Sequence, residues 1–193
     1  MGSAKATTIC LAAPIQVDSI VDGGGVRTVI WTQGCPHHCE GCQNPETQPF
    51  KGGLTVKISQ IKRQLAKLTH QDGITFSGGD PMNQVEACLE VAEYALSLGM
   101  NIWCFTGYTY EQLLKLAEVK QAYMDFLKLL DVLVDGRFVL AKKSYNLRFK
   151  GSSNQRIIDV PASLATKKVC LLEKYSSLKT YQPLYQKDSS IFV

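Results

Sequence analysis

A chain of 193 residues, 45% apolar and 20% charged, can build one domain around a hydrophobic core and has neither a disordered nor a fibrous composition. Its net charge of +4 is too mild to argue for nucleic acid, and no apolar run approaches the ~20 residues that span a bilayer. Seven cysteines, an odd number with three bunched together, do not make a disulfide framework and suit a reducing cytoplasm. The N-terminus lacks the long apolar core of a secretory signal. Ala6 stands where a myristoylation site needs Ser or Thr, so no leader and no lipid anchor are expected.

The first strong strand signal is VRTVIWTQ at residues 26–33, β-branched and apolar, which runs directly into Gly34 and the cysteines. Ile58, Ile61, Leu65 and Leu68 then recur at helical spacing with lysines between them. GITFS at 73–77 reads as a short strand ending in Gly78-Gly79. Asn83 with Glu86 makes a capping box for a helix reaching about Leu98, which Gly99 stops. NIWCF at 101–105 is the next strand, and Thr109 caps a helix carrying Leu113, Leu114 and Leu116. A second apolar helix is expected over 123–130, followed by the strand DVLVD at 131–135. From Arg137 to about Gln155 the pattern fades into polar turns, and RIIDV at 156–160 reads as one more strand. Trp31, Trp103, Cys88 and Cys104 fall in apolar segments and read as core.

Strands alternating with helices imply parallel pairing through right-handed crossovers, with the chemistry at the carboxyl ends of the strands. The cysteine loop, Gly78-Gly79-Asp80 and Asp135-Gly136 each follow a strand signal, so the three are expected on one rim. Four to six such units fall short of the eight units and ~250 residues of a closed barrel. The expected architecture is α/β, an incomplete, laterally open barrel. It forms a single domain over 1–193, with a core of about 14–160 and an unassigned tail at 167–193.

The chemistry lies in Cys35-x-x-x-Cys39-x-x-Cys42, three ligands where a structural metal wants four. Zinc would need His37 or His38 as its fourth ligand, and no distant half-site supplies another. A cubane iron–sulfur cluster is normally held by four thiolates. Three on a short loop would leave one iron coordinatively open, as catalytic zinc keeps an open position. Lys142, Lys143, Arg148, Lys150 and Arg156 cluster, which suits either an anionic partner or a solvated loop face. Asp22 and Arg27 flank a turn and read equally well as a local ion pair.

CxxxCxxC after the first strand and FSGGDP at 76–81 resemble the signatures of the radical S-adenosylmethionine superfamily. DSIVDGGGVRTVIWTQGC and GCQNPET resemble its branch that activates glycyl radical enzymes. NIWCFTGYTYEQL, DVLVDGRF and RFKGSSNQRIIDV resemble the activating proteins of anaerobic ribonucleoside-triphosphate reductase. The resemblance covers about 14–160. It departs from the usual pattern at Gly24, where proline is common, at Gln43, where histidine is, and at Gly41, where many superfamily members carry an aromatic residue.

The resemblance implies a fold of the radical SAM type. It implies that Cys35, Cys39 and Cys42 ligate one [4Fe-4S] cluster. The backbone around Gly41, Cys42, Gln43, Gly78 and Gly79 would line the S-adenosyl-L-methionine site, and Asp80 would receive its ammonium group. It further implies cleavage of S-adenosylmethionine to a 5′-deoxyadenosyl radical. That radical takes an α-hydrogen from a glycine of the reductase large subunit, with reduced flavodoxin or a similar protein as electron donor. No side chain would act as a catalytic group, and neither nucleic acid nor membrane would be a partner. Activation of pyruvate formate-lyase instead, a non-catalytic iron–sulfur electron carrier and a zinc-stabilised interaction module are the alternatives.

Overall fold

The structure, a computed structural model, describes residues 5–175. Its strands are β1 (Thr8–Leu11), β2 (Gln16–Ser19), β3 (Arg27–Thr32), β4 (Leu54–Lys57), β5 (Gly73–Gly78), β6 (Asn101–Phe105), β7 (Val132–Asp135), β8 (Arg156–Asp159) and β9 (Cys170–Leu171). The helices are α1 (Ile58–Leu65), α2 (Val85–Ser97), α3 (Tyr110–Val119), α4 (Ala122–Leu127) and α5 (Val160–Thr166). Among the described residues, one sheet runs β4-β1-β3-β5-β6-β7-β8-β9, with β2 also paired to β3. The expected α/β class is observed, and the sheet is open.

Only β3, β5, β6 and β7 are parallel, joined by the crossovers expected from the strand–helix alternation. The flanks differ from expectation. On one side β1 and β2 run antiparallel to β3, and on the other β8 runs antiparallel to β7. The chain between β7 and β8 contains no crossover helix, so β8 returns in the opposite sense.

Period-two alternation divides the residues of the sheet. Ile30, Ile74, Phe76, Ile102, Cys104, Leu133 and Ile158 belong to the large core, together with Ile61 and Leu65 of α1 and Val91, Ala92 and Ala95 of α2. Trp103, Val132, Val134 and Ile157 form a smaller cluster with the ring of Phe149. Trp103 and Cys104, adjacent on β6, therefore belong to different cores. Among the described residues no helix is long and apolar enough to cross a membrane.

The helix boundaries follow their caps. Thr109 caps α3 as expected, and Gln112 completes a reciprocal capping box with it. Asn83 does not cap α2. It lies in a 3₁₀ turn at Pro81–Gln84 that Asp80 caps, and α2 begins at Val85. Thr55 and Val56, within the apolar-periodic stretch before α1, are strand. Beyond Lys167 the chain adds β9 and a 3₁₀ turn at Glu173–Tyr175, and residues 176–193 of the unassigned tail lie outside the described residues.

Arg27 and Asp22 do not pair. Asp22 Oδ2 accepts from Ser19 Oγ at 2.5 Å. Arg27 is fully buried over the Trp103 ring and donates to Thr75 Oγ1 (2.6 Å), Asn101 Oδ1 (2.7 Å), Gly24 O (3.0 Å) and Ile74 O (2.5 Å). Burial lowers its pKa to about 10, partly offset by Asp131 and Asp72.

Strand β8 is bolted by Arg156, which donates to Asp135 (3.0 and 2.5 Å) and to both oxygens of Glu111 (2.9 and 2.7 Å). The Arg156 hydrogen bonds hold the Glu111 carboxyl down to about 2. A depressed carboxyl contributes stability above its unfolded pKa of about 4.3 and loses it as pH falls through the folded value. The melting-temperature gap between the native chain and Glu111→Gln should therefore narrow from pH 5 to pH 2. It should stay small throughout, because Glu111 is half exposed.

Candidate metal centre and cofactor cavity

Strand β3 ends at Thr32, and the chain leaves the sheet through Gln33 and Gly34 into the cysteine loop. The root of the loop is tied on both sides. Gly34 N donates to Thr47 O (2.8 Å), Cys35 N to Gln48 O (2.9 Å), and Gln33 Nε2 to Pro49 O (2.7 Å). Within the loop Cys42 N donates to Cys39 O (3.2 Å), and Asn44 N to Cys42 Sγ (3.4 Å). All three cysteines are free and partly exposed.

They line a cavity of about 430 Å³, within the roughly 300–1,000 Å³ of small-molecule sites. Ser77, Gly78 and Gly79 of β5 and its exit, with Phe105, Thr106 and Gly107 of β6 and its exit, also line it. The excursion between β7 and β8 supplies Phe138, Leu147, Phe149, Lys150 and Gln155. The three strand-end motifs thus meet on one rim, as their spacing implied. Trp31, read from sequence as core, is instead half-buried on the cavity wall, with Nε1 donating to Gln16 Oε1 at 3.2 Å.

Of the residues expected at the cofactor, Cys35, Cys39, Cys42, Gln43, Gly78 and Gly79 line the cavity, whereas Gly41 and Asp80 do not. Gly79 also has a second task. A Cβ there would sit 2.4 Å from Gly34 O, while Gly79 N donates to Thr32 O and Asp80 N to Gly34 O. The glycine lets the β5 exit press against the root of the cysteine loop. Gly79→Ala should therefore disturb that root rather than only narrow the cavity. We expect a loss of about 1–3 kcal/mol, typical of overpacking, with reduced iron uptake on reconstitution; thermal melts and iron assays check it.

Asp80 is where structure corrects sequence. Its carboxylate is fully buried and turned inward. It accepts from His37 Nε2 (2.6 Å), Thr106 Oγ1 (2.9 Å to each oxygen), Gly107 N (2.9 Å) and Met82 N (3.0 Å). These bonds occupy the carboxylate, so the ammonium contact expected of it is replaced by a clamp joining the cysteine loop to the exits of β5 and β6. His37, considered from sequence only as a zinc ligand, is a member of that clamp. Its ring meets Tyr108 edge-on at 4.6 Å, and His38 is exposed. Adjacent histidines gave no signal for this, since the partner lies 43 residues away.

The donor set fits an iron–sulfur cluster better than a single ion. Among the described residues, no group of three or more His, Cys, Asp or Glu side chains converges closely enough to hold one metal ion. Zinc, with bonds of about 2.3 Å to sulfur, would require that convergence. A cluster assigns each thiolate its own iron. Burial, with Asp80 nearby, pushes the Cys35 thiol up to about 11, so iron must displace its proton on binding.

The profile of the 4Fe-4S single cluster domain family matches residues 21–158, which include every residue lining the cavity. The chain is 37% identical over 144 residues to the anaerobic ribonucleoside-triphosphate reductase-activating protein of Salmonella typhimurium, across 70% of this chain and 90% of that protein. It is 38% identical over 152 residues to the protein of the same name from Escherichia coli K12, with the same two shares. The chain belongs to the family of anaerobic ribonucleoside-triphosphate reductase-activating proteins. The Enterobacteria phage T4 member is 32% identical over 143 residues, across 71% of this chain and 86% of its own length. The 4Fe-4S family match supports an iron–sulfur cluster in this chain.

Proposed function

We propose that this chain is a radical S-adenosylmethionine activase that generates a glycyl radical on anaerobic ribonucleoside-triphosphate reductase. One observation carries the reading: three thiols of one short loop line the same open cavity as Gly78-Gly79. A [4Fe-4S] cluster held by Cys35, Cys39 and Cys42 would, when bound, supply the one electron for reductive cleavage of S-adenosylmethionine, the chemistry by which a glycine α-hydrogen of the reductase would be removed.

The chain's own residues bind, orient and keep water out. Cys35, Cys39 and Cys42 hold three irons, and the His37–Asp80 clamp fixes the loop that carries them. Gly78, Gly79 and Gln43 present the methionyl and adenosyl ends of the site. Trp31, Phe105, Phe138 and Phe149 give the cavity apolar walls that exclude water from a reactive intermediate. The open sheet is an incomplete barrel of the radical SAM type, a single domain whose unclosed side admits a loop of another protein. Reduced flavodoxin or a similar carrier supplies the electron, in the cytoplasm.

The test is anaerobic reconstitution, reduction with dithionite, and addition of S-adenosylmethionine and the reductase. We expect 5′-deoxyadenosine and a glycyl radical signal in electron paramagnetic resonance. No 5′-deoxyadenosine under any condition would overturn the reaction class. A radical seen only with pyruvate formate-lyase would move the partner.

A further inference from the structure

The excursion between β7 and β8 is lopsided in charge. From Gly136 to Arg156 it carries Arg137, Lys142, Lys143, Arg148, Lys150 and Arg156 and no carboxylate, so the rest of a chain of net charge +4 is net negative. Sequence left two readings open for these cations, a solvated loop face or a partner surface. The geometry separates them. Arg156 is consumed by Asp135 and Glu111, and Lys150 Nζ donates to Gln155 O at 3.0 Å. Arg137, Lys142, Lys143 and Arg148 are exposed and form no ion pair with any described residue. The Lys143 and Arg148 side chains lie over aromatic faces, that of Tyr145 for Lys143 and those of Phe149 and Tyr175 for Arg148.

The segment is also built rather than loose. Lys143 and Ser152 bridge antiparallel, and Ser153 N donates to Lys142 O at 2.9 Å. Gln155 Oε1 accepts from Gly151 N and Ser152 N, while its Nε2 donates to Gly136 O. The result is a hairpin with two sides. Leu147 and Phe149 line the cavity, while Arg148 between them and Tyr145 face solvent, the latter 87% exposed. At its base Leu140 lies against Gly41 of the cysteine loop. Four cations without an ion pair among the described residues are thus carried on the segment whose Phe138, Leu147 and Phe149 line the cavity.

We propose that this hairpin, through Arg137, Lys142, Lys143 and Arg148, is the docking surface for an acidic patch of the protein substrate beside its target glycine. The inference rests on the activase reading and names the partner's chemistry at that site. Charge complementarity favours it. Like charges held together on a rigid hairpin repel one another, and an opposing acidic surface relieves that repulsion while steering the encounter. The protein substrate is favoured over the electron donor because the inner side of the hairpin forms the wall of the cavity itself.

The test uses the double variant Lys142→Glu/Lys143→Glu in the full chain, neither side chain lining the cavity. Binding to the reductase is measured by surface plasmon resonance across a salt series, and activity is assayed in parallel with dithionite and with reduced flavodoxin. We expect the association rate at low salt to fall about ten-fold or more and its salt dependence to flatten, as for rim charges in other complexes. Uncoupled 5′-deoxyadenosine formation should stay at the native level, and Lys142→Arg/Lys143→Arg should bind as the native chain does. Native association rate and salt slope in the double-glutamate variant would overturn the proposal. So would a defect confined to reactions driven by reduced flavodoxin, which would assign the hairpin to the electron donor. Failure of the native chain to activate the reductase at all would instead strike the activase reading.

Discussion

Alanine at Cys35, Cys39 or Cys42 should abolish iron–sulfur cluster binding and, on the proposed function, all cleavage of S-adenosylmethionine. Each thiolate would hold a separate iron, so the loss of one leaves an iron without its protein ligand. Reconstituted variants should be colourless, with iron near background and 5′-deoxyadenosine below detection by chromatography. Cys88→Ala is the control. That thiol is fully buried in α2, and burial pushes it too high to serve as a thiolate ligand at neutral pH. The control should lose only on the order of 1 kcal/mol of stability and keep its iron. Full 5′-deoxyadenosine production by any one of the three loop variants would remove the cluster assignment.

The second large effect is expected at Asp80. Alanine there strands His37 Nε2, Thr106 Oγ1, Gly107 N and Met82 N in a site from which water is excluded. Each buried donor left without an acceptor costs about 1–3 kcal/mol, and deleting one member of a buried charged network about 3–5 kcal/mol. We therefore expect Asp80→Ala to lose about 3–5 kcal/mol in urea unfolding and to take up little iron, since His37 would no longer hold the loop. Asp80→Asn should be milder, as it keeps one acceptor but turns an amide donor toward other donors. A loss below about 1 kcal/mol in the alanine variant would show that the clamp does not hold the site together.

Much of the molecule was legible because its signals are local. Val26–Gln33 alternates branched and apolar residues, and β3 lies within it. Thr109 was read as a helix cap, and it caps α3. The parts that were misread share a different property. Strand β8 was recognised but not its direction, because direction depends on whether a crossover helix precedes it. Trp31 read as core because hydrophobicity does not distinguish a residue facing helices from one facing a cavity.

By itself the sequence determined that three cysteines share one short loop at the end of a strand, since their spacing within eight positions holds whatever the rest of the chain does. It determined the strand–helix alternation, and so the gathering of the cysteine loop and Gly78-Gly79 at the carboxyl ends of parallel strands. Only the tertiary structure decided that Asp80 turns inward to His37, 43 residues away, and to Thr106, 26 residues away. Only it decided that Gly79 is needed for contact with Gly34 and that the β7–β8 excursion, which carries the cations, lines the cavity. Each of these depends on which strand lies beside which and on which way a side chain can point once its neighbours are packed, and neither is written in local spacing.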